Sequence, residues 1–69
     1  MTKEQRIEGL LGLIAENINK GDFEKAMHYE EKMLAIDLIA GALLSKDFLI
    51  RECGSALYKQ YDDYLEANA

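Results

Sequence analysis

No proline and no tryptophan occur in this sequence, and cysteine and histidine occur once each, as Cys53 and His28. The missing proline removes the strongest helix breaker, so long uninterrupted helices are favoured. A single cysteine excludes an intrachain disulfide. One cysteine and one histidine are too few for a thiolate–imidazole zinc site. A long apolar run is missing too. The longest, Met33 to Leu44, has 12 residues and contains Asp37 and Gly41, whereas a bilayer span needs about 20. Positive charge is scarce: eight Lys and Arg stand against 13 Asp and Glu, a net charge of −5. That balance argues against general affinity for nucleic-acid phosphates or anionic membranes. The polar opening Met1-Thr2-Lys3-Glu4-Gln5-Arg6 has no apolar block or cleavage site of a signal peptide. With the lone cysteine, this points to a soluble chain in a reducing, cytoplasmic setting.

What is present favours a folded protein. Hydrophobic residues make up 49% and charged residues 30% of 69 positions, so the chain has enough apolar surface to collapse. Its length allows one domain, residues 1–69, whose core supplies roughly 3–5 kcal/mol. Such a chain needs a staple. With disulfide and zinc excluded, oligomerisation or docking onto a partner remains.

The apolar spacing predicts an all-α, three-helix domain: a helical hairpin plus a third helix. The first helix spans about residues 2–20. Thr2 and Gln5 are spaced as a capping box, and Ile7, Leu10, Leu11, Ile14 and Ile18 fall on one face, widened by Leu13 and Ala15. Asn19-Lys20-Gly21 ends it. Gly9 and Gly12 lie inside this helix at a cost of roughly 1 kcal/mol each, which close approach of a neighbouring helix explains. The second helix spans about 22–44, with Asp22 as N-cap and Phe23, Ala26, Met27, Leu34, Leu38 and Gly41 on its apolar face. From Met33 to Leu44 it is apolar nearly all round, which implies burial on more than one side. Ser45-Lys46-Asp47 marks a turn, although a helix continuous through Ser45 is also compatible with the pattern. The third helix spans about 47–67, with Ile50, Cys53, Leu57, Tyr61 and Tyr64 as its stripe.

Residues 21–37, Gly-Asp-Phe-Glu-Lys-Ala-Met-His-Tyr-Glu-Glu-Lys-Met-Leu-Ala-Ile-Asp, resemble the second helix of a tetratricopeptide repeat, through the Gly-Asp-aromatic entry and Ala26. In the preceding helix only Leu13 matches the family pattern; Leu10, Ile14 and Asn17 depart from it, as do Glu30 and Met33 in the second. The resemblance implies a helix–turn–helix hairpin centred on Gly21. It carries over no peptide groove, because a lone unit has no stacked array.

Few residues have the spacing of chemistry. Glu30 and Asp37 are seven apart and project onto the apolar side of the second helix. Three readings are open: acids at the stripe's edge that reach solvent or pair with Lys46, Arg51 or Arg6; a pair meeting a partner's cations; or a carboxylate metal site, which lacks the Glu-x-x-His pairs of bundle sites. His28 reads as solvated surface and Cys53 as core. The Gly9-Leu10-Leu11-Gly12 string lacks the basic neighbours of an RNA-clamping loop. Tyr58, Tyr61 and Tyr64 alternate with Asp62, Asp63 and Glu66, either as a core stripe with an acidic edge or as a partner-binding face.

No nucleophile, base and orienter converge, so no enzyme is expected and no cofactor or metal is implied. The expected function is a small acidic protein–protein interaction module. It would dimerise through Ala35, Ile36, Ile39, Ala40 and Leu43, with Gly41 between Ala40 and Ala42 permitting close helix approach. A second protein would be bound or regulated through Glu52, Tyr58, Asp62, Asp63 and Glu66. The alternative is a decoy that mimics nucleic acid to a basic protein, by analogy with small acidic viral inhibitors such as anti-CRISPR proteins.

Overall fold

In the computed structural model, which describes all 69 residues, four helices follow one another: α1 (Lys3–Asn19), α2 (Phe23–Ile36), α3 (Leu38–Cys53) and α4 (Ser55–Ala67). The fold is all-helical, but the three-helix expectation is corrected to four. The first hairpin stands. Thr2 and Gln5 form the capping box, with the Gln5 amide donating to Thr2 Oγ1 at 3.2 Å and the Thr2 amide to Gln5 Oε1 at 2.9 Å. Gly21 turns the chain at φ +79°, where a Cβ would be strained. Asp22 then caps α2 by accepting from the Lys25 amide at 3.1 Å.

Two breaks differ from the sequence expectation. The expected helix over 22–44 ends at Ile36. Asp37 is extended, at φ −157° and ψ 104°, and its carboxylate accepts from the Ala40 amide at 2.9 Å, capping α3. Within one straight helix Asp37 would lie on the apolar side with its charge uncompensated. Breaking the helix there turns that liability into a cap. Of the two readings at Ser45–Asp47, a turn or a continuous helix, the structure has the helix, since α3 runs through all three residues. The chain breaks instead at Gly54, whose φ of 86° and ψ of 151° lie in a region open essentially to glycine alone.

The core follows from these breaks. Ile7, Leu11, Ile14, Ala15 and Ile18 of α1 meet Ala26 and Met33 of α2, Leu49 of α3 and Tyr61 of α4. Leu10 is only half-buried. Gly41 packs inward: a Cβ there would sit 3.2 Å from Leu34 Cδ2 and 3.5 Å from Met33. Its close approach is therefore between α3 and α2 of one chain, not at a crossing between copies. Gly9 and Gly12 are exposed, and a Cβ at either meets nothing within 4 Å, so helix packing within the chain does not explain them. The radius of gyration, 11.0 Å, equals the roughly 11 Å expected of a compact chain this long. No helix is long and apolar enough to cross a membrane.

Candidate functional site

The Met33–Leu44 segment divides at Asp37: Met33 and Gly41 are buried, Leu34, Ile36 and Ala40 pack half-buried against the core, and the other hydrophobic residues of the segment are exposed. Leu38, placed on the buried face by the single-helix reading, is 65% exposed because α3 starts on a new heading. Ile39 is 73%, Leu43 72% and Leu44 50% exposed. Ala42 is exposed and Ala40 half-buried. Ile39 and Leu43 are one turn apart, so they stand together on the outward side of α3. This is a surface of large aliphatic side chains in a chain with just 11 buried residues.

The other two residues expected at a self-interface, Ala35 and Ile36, sit elsewhere. They line an open groove of about 920 Å³ between the last turns of α2 and the outer side of α1, together with Met1, Lys3, Gln5, Arg6, Gly9, Leu10, Leu13 and Lys32. Of the five, Ile39 and Leu43 stand on the exposed α3 face, Ala35 and Ile36 line the α1–α2 groove, and Ala40 packs half-buried against the core.

Glu30 and Asp37, considered as a pair in the sequence, have separate tasks. Asp37 Oδ2 lies 3.0 Å from Lys3 Nζ, a partner not among the cations weighed from the sequence. The Ala40 amide first, and Lys3 second, hold the Asp37 carboxyl below the usual range. Asp37 in turn raises the Lys3 ammonium. Glu30 is half-buried and accepts a hydrogen bond from the Tyr61 hydroxyl at 3.2 Å. Burial pushes the Glu30 carboxyl up, the Tyr61 hydrogen bond opposes this, and the charge on Asp62 adds to it. Tyr61 has no exposed surface, and its ring meets Phe23 edge-on with centroids 5.7 Å apart. Burial, then Glu30, raises the Tyr61 hydroxyl far above the ordinary phenol range.

The residues expected to bind a second protein are divided by Gly54. Glu52 ends up on α3, whereas Tyr58, Asp62, Asp63 and Glu66 are on α4. Glu52, Asp62, Asp63 and Glu66 are exposed and Tyr58 is half-buried against the core. Lys59 Nζ lies 3.4 Å from Asp63 and partly neutralises that edge. Burial raises the Tyr58 hydroxyl, and the charges of Asp62 and Glu30 add to it.

Cys53 is half-buried, and its thiol donates to the Ala15 carbonyl at 3.6 Å. Burial raises the thiol, with Glu52 contributing, opposite to the lowering that makes a reactive thiolate. His28 is exposed beside a shallow polar hollow formed with Asp22, Glu24, Lys25, Met27 and Glu31. One buried polar residue was missed from the sequence. Asn17 donates from Nδ2 to the Leu13 carbonyl at 2.8 Å, a local bond to the preceding turn that lets an amide enter the core.

No protein-family model, curated protein or solved structure matches the chain.

Proposed function

We propose that this chain is a small acidic interaction module. It self-associates through the bare aliphatic face of α3 and binds or regulates another protein. The supporting observation is the exposure of Ile39 and Leu43, at 73% and 72%, beside Leu38 and Leu44. Contiguous aliphatic surface of this kind gains free energy when it is covered. A second copy offers the same patch and pairs with it about a two-fold axis. Ala42, exposed between Ile39 and Leu43, lets two α3 helices approach. No catalytic step belongs to this reading.

The test is solution mass by light scattering over a concentration series, with circular dichroism alongside, for the natural chain and Ile39→Asp. The natural chain should be dimeric. Ile39→Asp should be monomeric or unfolded, because the substitution places a charge in the self-interface and removes the association that supports so short a chain. A natural chain that stays monomeric throughout overturns the self-association.

A further inference from the structure

The groove between α1 and α2 differs in charge from the rest of the molecule. Three of the chain's eight cationic side chains, Lys3, Arg6 and Lys32, line it, and none of the 13 acidic ones does. Its floor is aliphatic or bare, from Gly9, Leu10, Leu13, Ala35 and Ile36. Leu13 is 38% exposed there. Asp37, at one end, is occupied by Lys3 and the Ala40 amide. Arg6 and Lys32 take part in none of the chain's ion pairs. The Lys32 ammonium lies over the face of Tyr29, 5.7 Å from the ring centroid. An acidic protein therefore presents uncompensated positive charge along one apolar channel.

Gly9 adds a second argument. It weakens α1 without serving any contact in the fold, since a Cβ there meets nothing within 4 Å. A glycine in the floor of a channel allows another backbone to approach closely. Arg6, Leu10 and Leu13 extend along α1 for roughly two helical turns. A channel between two antiparallel helices is the seat that a third helix fills when ridges pack into grooves.

We propose that this groove binds an amphipathic helix of a partner protein, with two to three turns of aliphatic side chains on its inner edge and Asp or Glu along both flanks. The aliphatic residues cover Leu10, Leu13 and Ile36, and the flanking carboxylates meet Arg6 on one side and Lys32 on the other. This rests on the reading of the chain as an interaction module but not on its self-association, because Ile39 and Leu43 lie outside the groove.

The experiment selects peptides from a displayed library of 16-residue helices, with aliphatic positions fixed at i, i+3, i+4 and i+7 and random flanks, on the immobilised natural chain. Enriched flanks should be acidic. Synthetic copies of the selected peptides should lose at least tenfold in affinity against the double variant Arg6→Glu, Lys32→Glu, and against Gly9→Leu, which fills the floor. Both variants should keep the natural helicity, and Gly9→Leu should melt higher than the natural chain, which separates a blocked groove from a damaged fold. Light scattering on the same variants should show an unchanged mass, so that loss of peptide binding is read apart from loss of self-association. Neutral or basic flanks, no enrichment, or affinity indifferent to the three substitutions overturns the proposal. So does binding to phosphatidylglycerol vesicles that the selected peptides fail to displace, which would make the cationic channel a lipid site.

Discussion

Lys3, at the start of α1, and Asp37, between α2 and α3, are held 3.0 Å apart, and the same carboxylate caps α3. One residue therefore ends α2 through its extended backbone, and its side chain starts α3 and fastens the junction to the N-terminus. Asp37→Ala should lower the melting temperature more than Asp37→Asn, which keeps a cap acceptor but loses the ion pair. Melts of the natural chain and both variants in low and high salt check this: the gap between the natural chain and Asp37→Asn, which carries the ion pair, should shrink in salt, and the gap between the two variants should not. Equal melting of the two variants would mean that the cap contributes nothing.

Asp37 and Glu30 impose opposite dependences on pH. The Asp37 carboxyl is lowered on folding, so its stabilisation is complete above the ordinary carboxylate range. It is lost as pH falls through the lowered folded value. The Glu30 carboxyl is raised, so the folded state holds its proton more tightly. Stability from that group falls as pH rises from the ordinary carboxylate value through the raised one, then levels off. Urea unfolding of Glu30→Gln from pH 3 to 8 should show the variant gaining on the natural chain across that interval and nowhere else.

Tyr61→Phe removes the hydroxyl that donates to the Glu30 side chain and keeps the ring against Phe23. It should cost about 1–2 kcal/mol at neutral pH, since a half-buried carboxylate loses its donor. It should raise the Glu30 carboxyl further, observable by NMR titration of the side chain. In Glu30→Gln the same substitution should cost less, because no charge is then stranded.

Glycine positions should sort by backbone and surroundings. Gly54→Ala should destabilise by about 1–3 kcal/mol, because its dihedrals suit glycine alone. Gly9→Ala and Gly12→Ala should each stabilise by roughly 0.5–1 kcal/mol, since a Cβ in these exposed helical positions meets nothing. Chemical denaturation of the three variants checks the order.

Iodoacetamide should modify Cys53 several-fold more slowly in the folded chain than in urea. Its thiol is half-buried, bonded to the Ala15 carbonyl and raised by burial. Equal rates would place the thiol in open solvent.

The first hairpin was legible because its signals are local. Thr2 and Gln5, Gly21 and Asp22 each act within four residues, and the α1 stripe gives Ile7, Leu11, Ile14 and Ile18 directly. The break at Asp37 was not, because an aspartate among aliphatics marks a cost without saying how the chain avoids it. Capping explains it only once Ala40 is seen to donate. Gly54 lies inside the span expected of the third helix, and helical spacing does not reveal a backbone angle; Ser45 has the chemistry of a turn and is accommodated within α3. The aliphatic excess of Met33–Leu44 was plain in the sequence, but which residues stay uncovered depended on the heading that α3 takes after Asp37. The groove was invisible, because it joins Arg6 to Lys32 across two helices.

The tight turn at Gly21 also bears on the order in which the molecule folds. It joins α1 and α2, the pair that packs most extensively, through three residues, so the largest interface closes over a very short loop. Contacts so local in sequence form fast. Tyr61 reaches the same core across a far longer loop, so substitutions at the α1–α2 contacts should slow folding more than substitutions in α4, a difference that folding kinetics of Ala26→Gly and Tyr61→Phe would show.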